Sequence, residues 1–477
     1  VLPPEEELES NFLSPVATGK LVWVANPTSG RVAYLDAVTL GVKLVDAGNG
    51  PTHLAALPPK DGADRALVLN VLSLDATVLK AQGDTIETQT LKVPSGGNRW
   101  AIDRTGRYAI AWTDAGRLPS ADPLDGFQDL TVLDLDQGVS TALSVGYRPV
   151  AISFTEDSGK ALVVTQDGIG EITLGGAPQV SKNFPLTEDP LGATTRDVAI
   201  TPDGSLALVR LEGASAITLV KLSDGSRSEV PLGGVVTDLD LSPDGKVAVA
   251  VVRELGKVVL LQVPAIAEDP GAQSALTLGS GDNVVGSAAL AEESPVAFLY
   301  SNAASNPLLS TLDLGAPTPQ LVSVLLRAPV GAVLPTRDAS GALVVHTKGP
   351  TDASTVYKSA LSVVRVGDGL PPKIVGLEAP VAAVALGPSG SHALAAIGED
   401  KQGPWQGVLV TLPTQQVRTI SLPSPPLAAG IVEEAKRGYI AQKHPEGRIT
   451  FVDLETGEAR TLTGFELAAQ VVYGAKP

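Results

Sequence analysis

Cysteine and methionine are both absent from the 477 residues, and histidine occurs only four times. Without thiols there can be no disulfide, no Cys-ligated zinc, no iron–sulfur cluster and no thiol nucleophile. His53, His346, His392 and His444 are widely separated and form no HExxH motif. A haem, copper or zinc site needs several imidazoles or thiolates converging, so these are expected to be isolated, hydrogen-bonded or solvated side chains, and no metal or cofactor is expected. Basic residues are outnumbered 35 to 52, a formal charge of -17. Such a surface repels phosphate backbones and anionic membranes, which argues against a nucleic-acid partner. No apolar run reaches about 18 residues, the length at which a spanning helix becomes a candidate, so no transmembrane segment is expected. Aromatics make up only 4%.

What is abundant is aliphatic residues and turn formers. Hydrophobic residues account for 44% of the chain, enough for a large core filled by Val, Leu, Ala and Ile. The 49 Gly and 37 Pro are scattered at turn spacing, which points to many short connections and away from a disordered tract. The first residues, Val1 to Gly19, are acidic and Pro-containing. They are expected to be a solvated tether, with docking through Leu8, Phe12 and Leu13 as the alternative. A chain opening on Val1 is expected to have been processed, and membrane attachment is expected only through a lipid anchor lost with a leader.

From Leu21 the text becomes periodic. Leu21 to Pro58 holds four short apolar runs separated by tight turns, one blade-sized unit. A hairpin turn then recurs after an apolar strand: Asp103-Arg104-Thr105-Gly106, Glu156-Asp157-Ser158-Gly159, Thr201-Pro202-Asp203-Gly204, Ser242-Pro243-Asp244-Gly245, Asp338-Ala339-Ser340-Gly341 and Gly387-Pro388-Ser389-Gly390. Pro presets φ early in such a turn, Asp bonds its own backbone, and Gly follows where φ must be positive. Weaker turns at Gly62, Ser294 and Lys436 complete the series, at separations between 41 and 53 residues. No segment sustains a 3.6-residue period. A period in the forties made only of strands means propeller blades. The expectation is an all-β chain, residues 20–477, closed into a single β-propeller of about ten four-stranded blades; two abutting rings are the alternative. Leu21 to Asp46 supplies only three strands, and the apolar stretch Ala468 to Tyr473 stands alone at the other end, so the C-terminal strand is expected to complete the first blade.

The opening unit resembles the YVTN-type (YncE-like) β-propeller repeat. Val22-Trp23-Val24-Ala25-Asn26 stands for the YVTN strand, and Gly30-Arg31-Val32-Ala33-Tyr34-Leu35-Asp36 for the SVID strand. Val198 to Gly204 and Leu239 to Gly245 match the VAVSPDG part. The resemblance covers most of the chain and fades between about Asp282 and Val366. It is specific for fold and says little of function. It implies an exported protein, periplasmic or displayed at the cell surface.

Candidate chemistry is sparse. The Asp-containing loops at Asp61 to Asp64 and Asp122 to Asp129 lack the spacing of a dedicated calcium loop, and hairpin chemistry accounts for them. His53, Arg99, Arg148 and Arg196 stand just ahead of the innermost strands of four consecutive units. Their loops would gather at one mouth of the channel as a cationic arc suited to a carboxylate or phosphate. The alternative is that each Arg pairs with a nearby acid such as Asp103 or Asp197 and ties blades together. Trp23, Trp100 and Trp112 are expected to pack between blades, and Trp405, after Gln402-Gly403-Pro404, is expected to be exposed for a partner. Two insertions, Thr113 to Asp129 and Thr347 to Ser359, both follow the second strand of their units and should emerge on one face. The leading expectation is a non-catalytic exported scaffold that binds a protein or a surface polymer through that rim. A propeller-type lactonase or oxidoreductase, or a structural subunit of an envelope assembly, are the alternatives.

Overall fold

The computed structural model describes residues 15–464, except 123, 188, 190–195, 279–284, 304–306, 351–355 and 445. It contains 55% strand and 3% helix. Among the described residues no helix is long and apolar enough to cross a membrane.

The strands form ten antiparallel four-stranded sheets. Each sheet is a meander of consecutive strands, and the fourth strand of one sheet leads into the first strand of the next. The sheets stand as blades in a ring, and the chain is a ten-bladed β-propeller. The first strand of each blade is innermost. Because the strands alternate in direction, the loop between the second and third strands opens on the same face as the crossover into the next inner strand.

The side-chain pattern explains why the blades stack. Middle strands such as Tyr108–Trp112 and Val247–Val252 are buried at every position, because neighbouring blades cover both of their faces. Outer strands such as Thr85–Lys92 are mostly exposed and polar. The buried apolar residues separate into ten clusters, one for each pair of adjacent blades. With so few aromatics, Leu, Ile, Val and Ala carry this packing; Trp23, Phe298 and Phe451 are the largest fully buried side chains. The cluster that joins Val22, Leu35 and Ala37 of blade 1 to Val432, Tyr439 and Phe451 of blade 10 closes the circle. One ring, not two, follows.

The repeated turn works through a side-chain relay. In blade 5 the Thr201 hydroxyl accepts from Leu206 N–H (3.0 Å) while Asp203 accepts from Ser205 N–H (3.0 Å). Thr155/Asp157, Ser242/Asp244 and Thr336/Asp338 repeat it, with the hydroxyl donating to the carboxylate at 2.6, 2.7 and 2.7 Å. At Asp103/Thr105 the two residue types are exchanged and the same backbone is still satisfied. Gly204, Gly245 and Gly390 take positive φ as expected, but in two blades the left-handed position is Ser158, one residue ahead of Gly159, and Ala339, two ahead of Gly341.

Ring closure differs from the sequence expectation. Blade 1 consists of β1 (Val16–Thr18), β2 (Leu21–Asn26), β3 (Arg31–Asp36) and β4 (Val42–Asp46). Its inner strand is β1, paired Val16 with Trp23, Ala17 with Val22 and Thr18 with Leu21. The stretch Ala468–Tyr473 proposed for that position lies outside the described residues. The end of the segment expected to be a tether is therefore part of the propeller; residues 1–14 lie outside the description. A two-residue hairpin supplies the inner strand locally, where loop-closure entropy is least. Gly19, with φ +50°, makes the turn, and Thr18 Oγ1 accepts from Trp23 Nε1 at 2.7 Å.

Candidate functional site

His53, Arg99 and Arg196 lie in the first residues of the inner strands of blades 2, 3 and 5, and Arg148 immediately precedes that of blade 4. Shared register does not bring them to one point. Arg148 has φ +49° and folds back onto the long loop after the second strand of blade 3. Its Nε donates to Asp125 O (3.0 Å), its Nη2 to Asp122 O (2.5 Å), and its guanidinium lies 5.2 Å from the Tyr147 ring. It staples that insertion in place. Arg196 opens its strand, and its side chain lies outside the described residues. Asp197, offered as its partner, instead pairs with Arg210.

His53 and Arg99 do meet. They line a cavity of about 710 Å³ on the loop-bearing face, where blades 10, 1, 2 and 3 come together. Three further basic side chains join them: Arg117 from the blade 3 insertion, and His444 and Arg448 from blade 10. Among the described residues no Asp or Glu lines this cavity. Val16, Leu54, Trp100 and Leu427 supply an apolar part of the wall.

Each element has a reason to stand where it does. The inner strand Pro51–Lys60 shifts register between Pro51 and His53, and such a bulge re-aims the side chain that follows it. The same shift recurs at the start of the inner strands of blades 4, 8, 9 and 10. Trp100 Nε1 donates to His53 O at 3.0 Å and ties blade 3 to blade 2. Asn98 and Asp114 clamp the insertion: Asn98 Nδ2 donates to Asp114 O (3.0 Å), and Asp114 N–H donates to Asn98 Oδ1 (2.8 Å). Arg99 does pair with an acid, and reaches Asp114 rather than Asp103. Its Nη1 lies 2.9 Å from Asp114 Oδ2, and its guanidinium 5.3 Å from the Trp112 ring. Arg117 Nε lies 3.7 Å from the same oxygen. Arg448 Nε donates to Thr463 Oγ1 at 3.1 Å. His444 Nδ1 accepts from Glu446 N–H at 3.2 Å, which puts the ring proton on Nε2.

Electrostatics follow from that geometry. Burial and then the positive charge of Arg117 hold the His53 imidazole below its ordinary pKa, so it is neutral at pH 7. Among the described residues no group of three or more His, Asp or Glu converges in a way that would hold a metal.

Trp405 is not the exposed platform expected of it. It is half-buried against the cluster between blades 9 and 10, and its Nε1 donates to Glu399 O at 2.7 Å. Its loop, turned by the cis Gly403-Pro404 bond, folds the indole over Gly398. The two insertions do share a face, since residues 113–128 and 347–358 each join the second and third strands of a blade; residues 351–355 of the second are outside the description.

The sequence matches no family model and no curated protein. Solved structures that superpose on the chain include Kuenenia stuttgartiensis hydrazine synthase, at 16% identity and TM-score 0.35, covering 66% of this chain and 97% of that one. Dihydro-heme d1 dehydrogenase NirN in complex with DHE superposes at 12% identity and TM-score 0.44, covering 88% and 78%. A eukaryotic initiation factor does so at 11% identity and TM-score 0.49, covering 74% and 84%. The class, a ten-bladed β-propeller, rests on the chain's own strand order and not on these likenesses.

Proposed function

We propose that this chain is an exported propeller of the YVTN repeat type that acts as a non-catalytic scaffold. It binds a protein partner, or a surface polymer, through the face that carries the loops between second and third strands. The observation behind this reading is the chemistry of the loop tips. On a protein with a charge of -17, Leu72, Leu124 and Val356 are 77%, 82% and 98% exposed. They stand on such loops of blades 2, 3 and 8, and Leu255 in blade 6 adds a fourth exposed tip. Exposed Leu and Val rising from a rigid ring suit a protein surface better than a sugar polymer. Affinity would come from several shallow contacts held by stiff blades. Export is supported by the repeat resemblance alone.

The test compares the chain with L72N/L124N/L255N/V356N as baits against cell-envelope extract from the source organism. The expected result is a partner retained by the former and lost from the latter, with both melting alike. Equal retention of every bound protein by the two baits overturns the reading. An enzyme with its site at the channel mouth is the second reading, favoured by the cavity there; chemical turnover of a bound ligand would be its signature.

A further inference from the structure

We infer that the cavity between blades 10, 1, 2 and 3 is a binding site for a small organic anion, a carboxylate or phosphate monoester carrying an apolar body. Three guanidiniums and two imidazoles line it, and among the described residues no acid does. That is opposite in sign to a chain of charge -17. Asp114 is shared by Arg99 and Arg117, which holds both guanidiniums at the cavity wall. Across the cavity Arg448 has no carboxylate partner among the described residues, its Nε being held by the neutral Thr463 hydroxyl. Guanidinium groups fixed in this way are suited to forked recognition of carboxylate or phosphate oxygens.

The remaining wall argues for an organic ligand over a bare ion. Leu54, Trp100, Val16 and Leu427 face the same space, and about 710 Å³ lies within the range of small-molecule pockets. The site exists only because the ring closes. Arg448 and His444 come from the last blade, and His53, Arg99 and Arg117 from the second and third. It is independent of the loop-tip surface, so the fourfold loop variant should retain it.

His53 is a built-in reporter. The titratable side chains that line the cavity with it are Arg117 and Arg99 from blade 3 and His444 and Arg448 from blade 10, with the Asp114 carboxylate against Arg99 and Arg117. An anion seated among them favours the imidazolium form. With four histidines in the chain, the imidazole resonances can be followed singly by NMR. Benzoate, phenyl phosphate, inorganic phosphate and benzyl alcohol are titrated in turn.

The expected result is a saturable shift of the His53 and His444 resonances by benzoate or phenyl phosphate, with the His53 titration moved to higher pH. The His346 resonance, buried in blade 8, stays still and reports that the fold is intact. Whichever organic anion binds tighter identifies the head group. Arg448→Gln should weaken binding about tenfold or more, the scale of one charge-assisted contact; Arg117→Gln, tested the same way, serves if that variant does not fold. No saturable shift with either organic anion at millimolar concentration overturns the inference. So does equal binding of benzyl alcohol, or inorganic phosphate binding as tightly as phenyl phosphate, or unchanged affinity in both folded variants.

Discussion

The Tyr439 hydroxyl, on the second strand of blade 10, donates to the Pro15 carbonyl at 2.6 Å, joining residues 424 positions apart. It lies at the seam of the ring, just ahead of the short strand Val16–Thr18. Burial pushes the phenol pKa well above its ordinary value, so the hydroxyl keeps the proton needed for this bond beyond the usual tyrosine range.

Tyr439→Phe keeps the ring in its cluster and removes only that bond. A loss of about 1 kcal/mol is expected for a neutral buried hydrogen bond, measured by urea unfolding. Amide exchange should quicken at Val16–Thr18 and stay unchanged in blade 5, opposite the seam.

Gly19→Ala tests the hairpin that delivers this strand. Gly19 has φ +50°, where a side chain costs about 1–2 kcal/mol, and its Cβ would fall 2.2 Å from Asp64 Oδ1. A stability loss of at least that size is expected, together with faster exchange of the Trp23 indole N–H.

Thr336→Val tests the turn relay. Thr336 is fully buried, and its Oγ1 accepts from Gly341 N–H (3.0 Å) and donates to Asp338 (2.7 Å). The isosteric valine leaves a buried N–H unpaired, so a destabilisation of about 1–3 kcal/mol is expected. The Asp338 carboxyl, held below its usual range by the Ser340 N–H and then by Thr336, should titrate at higher pH in the variant.

His346 sets a pH dependence. Pro329 O can only accept from Nδ1 (3.2 Å), so Nε2 accepts from Ser362 Oγ (2.7 Å) and the ring is neutral. Burial pulls its pKa down to about 4. The unfolded chain therefore binds this proton first, near pH 6.5, and stability falls as pH drops from there toward 4, then levels off with respect to this group. Between pH 7 and 5 the loss is about 2 kcal/mol by proton linkage. His346→Gln should flatten that part of the curve. His53 and His392, also held below their ordinary values, leave a smaller slope of the same sign.

Most of the architecture was legible because it is local and repeated. The Ser/Thr–Asp turn, the largely buried middle strands and the polar outer strands recur at intervals of forty-odd residues, and the blade count follows from them. The seam was not legible. Val16-Ala17-Thr18 sits in an acidic, Pro-containing segment and is three residues long, too short for an alternation to register. The site was legible in part. His53 and Arg99 share a register that marks the channel mouth, but Arg148 has the same register and is consumed by backbone carbonyls of its neighbouring loop, a partner choice that no spacing encodes. Arg117 lies within the insertion flagged as a surface loop, while His444 and Arg448 become neighbours of His53 only through ring closure. Trp405 was misjudged because a half-buried indole covering a glycine looks, in sequence, like any loop tryptophan.

Completion of blade 1 by β1 against β2, with blade 10 packed behind, underlies both the fold and the cavity. Cross-linking tests it most directly, since the chain has no cysteine of its own. Ala17 and Val22 are directly opposed in the β1–β2 pair, within the Cα separation a disulfide tolerates. In A17C/V22C the account predicts complete disulfide formation in the native protein and a higher melting temperature than in its reduced form. Free thiols that persist under oxidising conditions, with identical melting in both states, would contradict it.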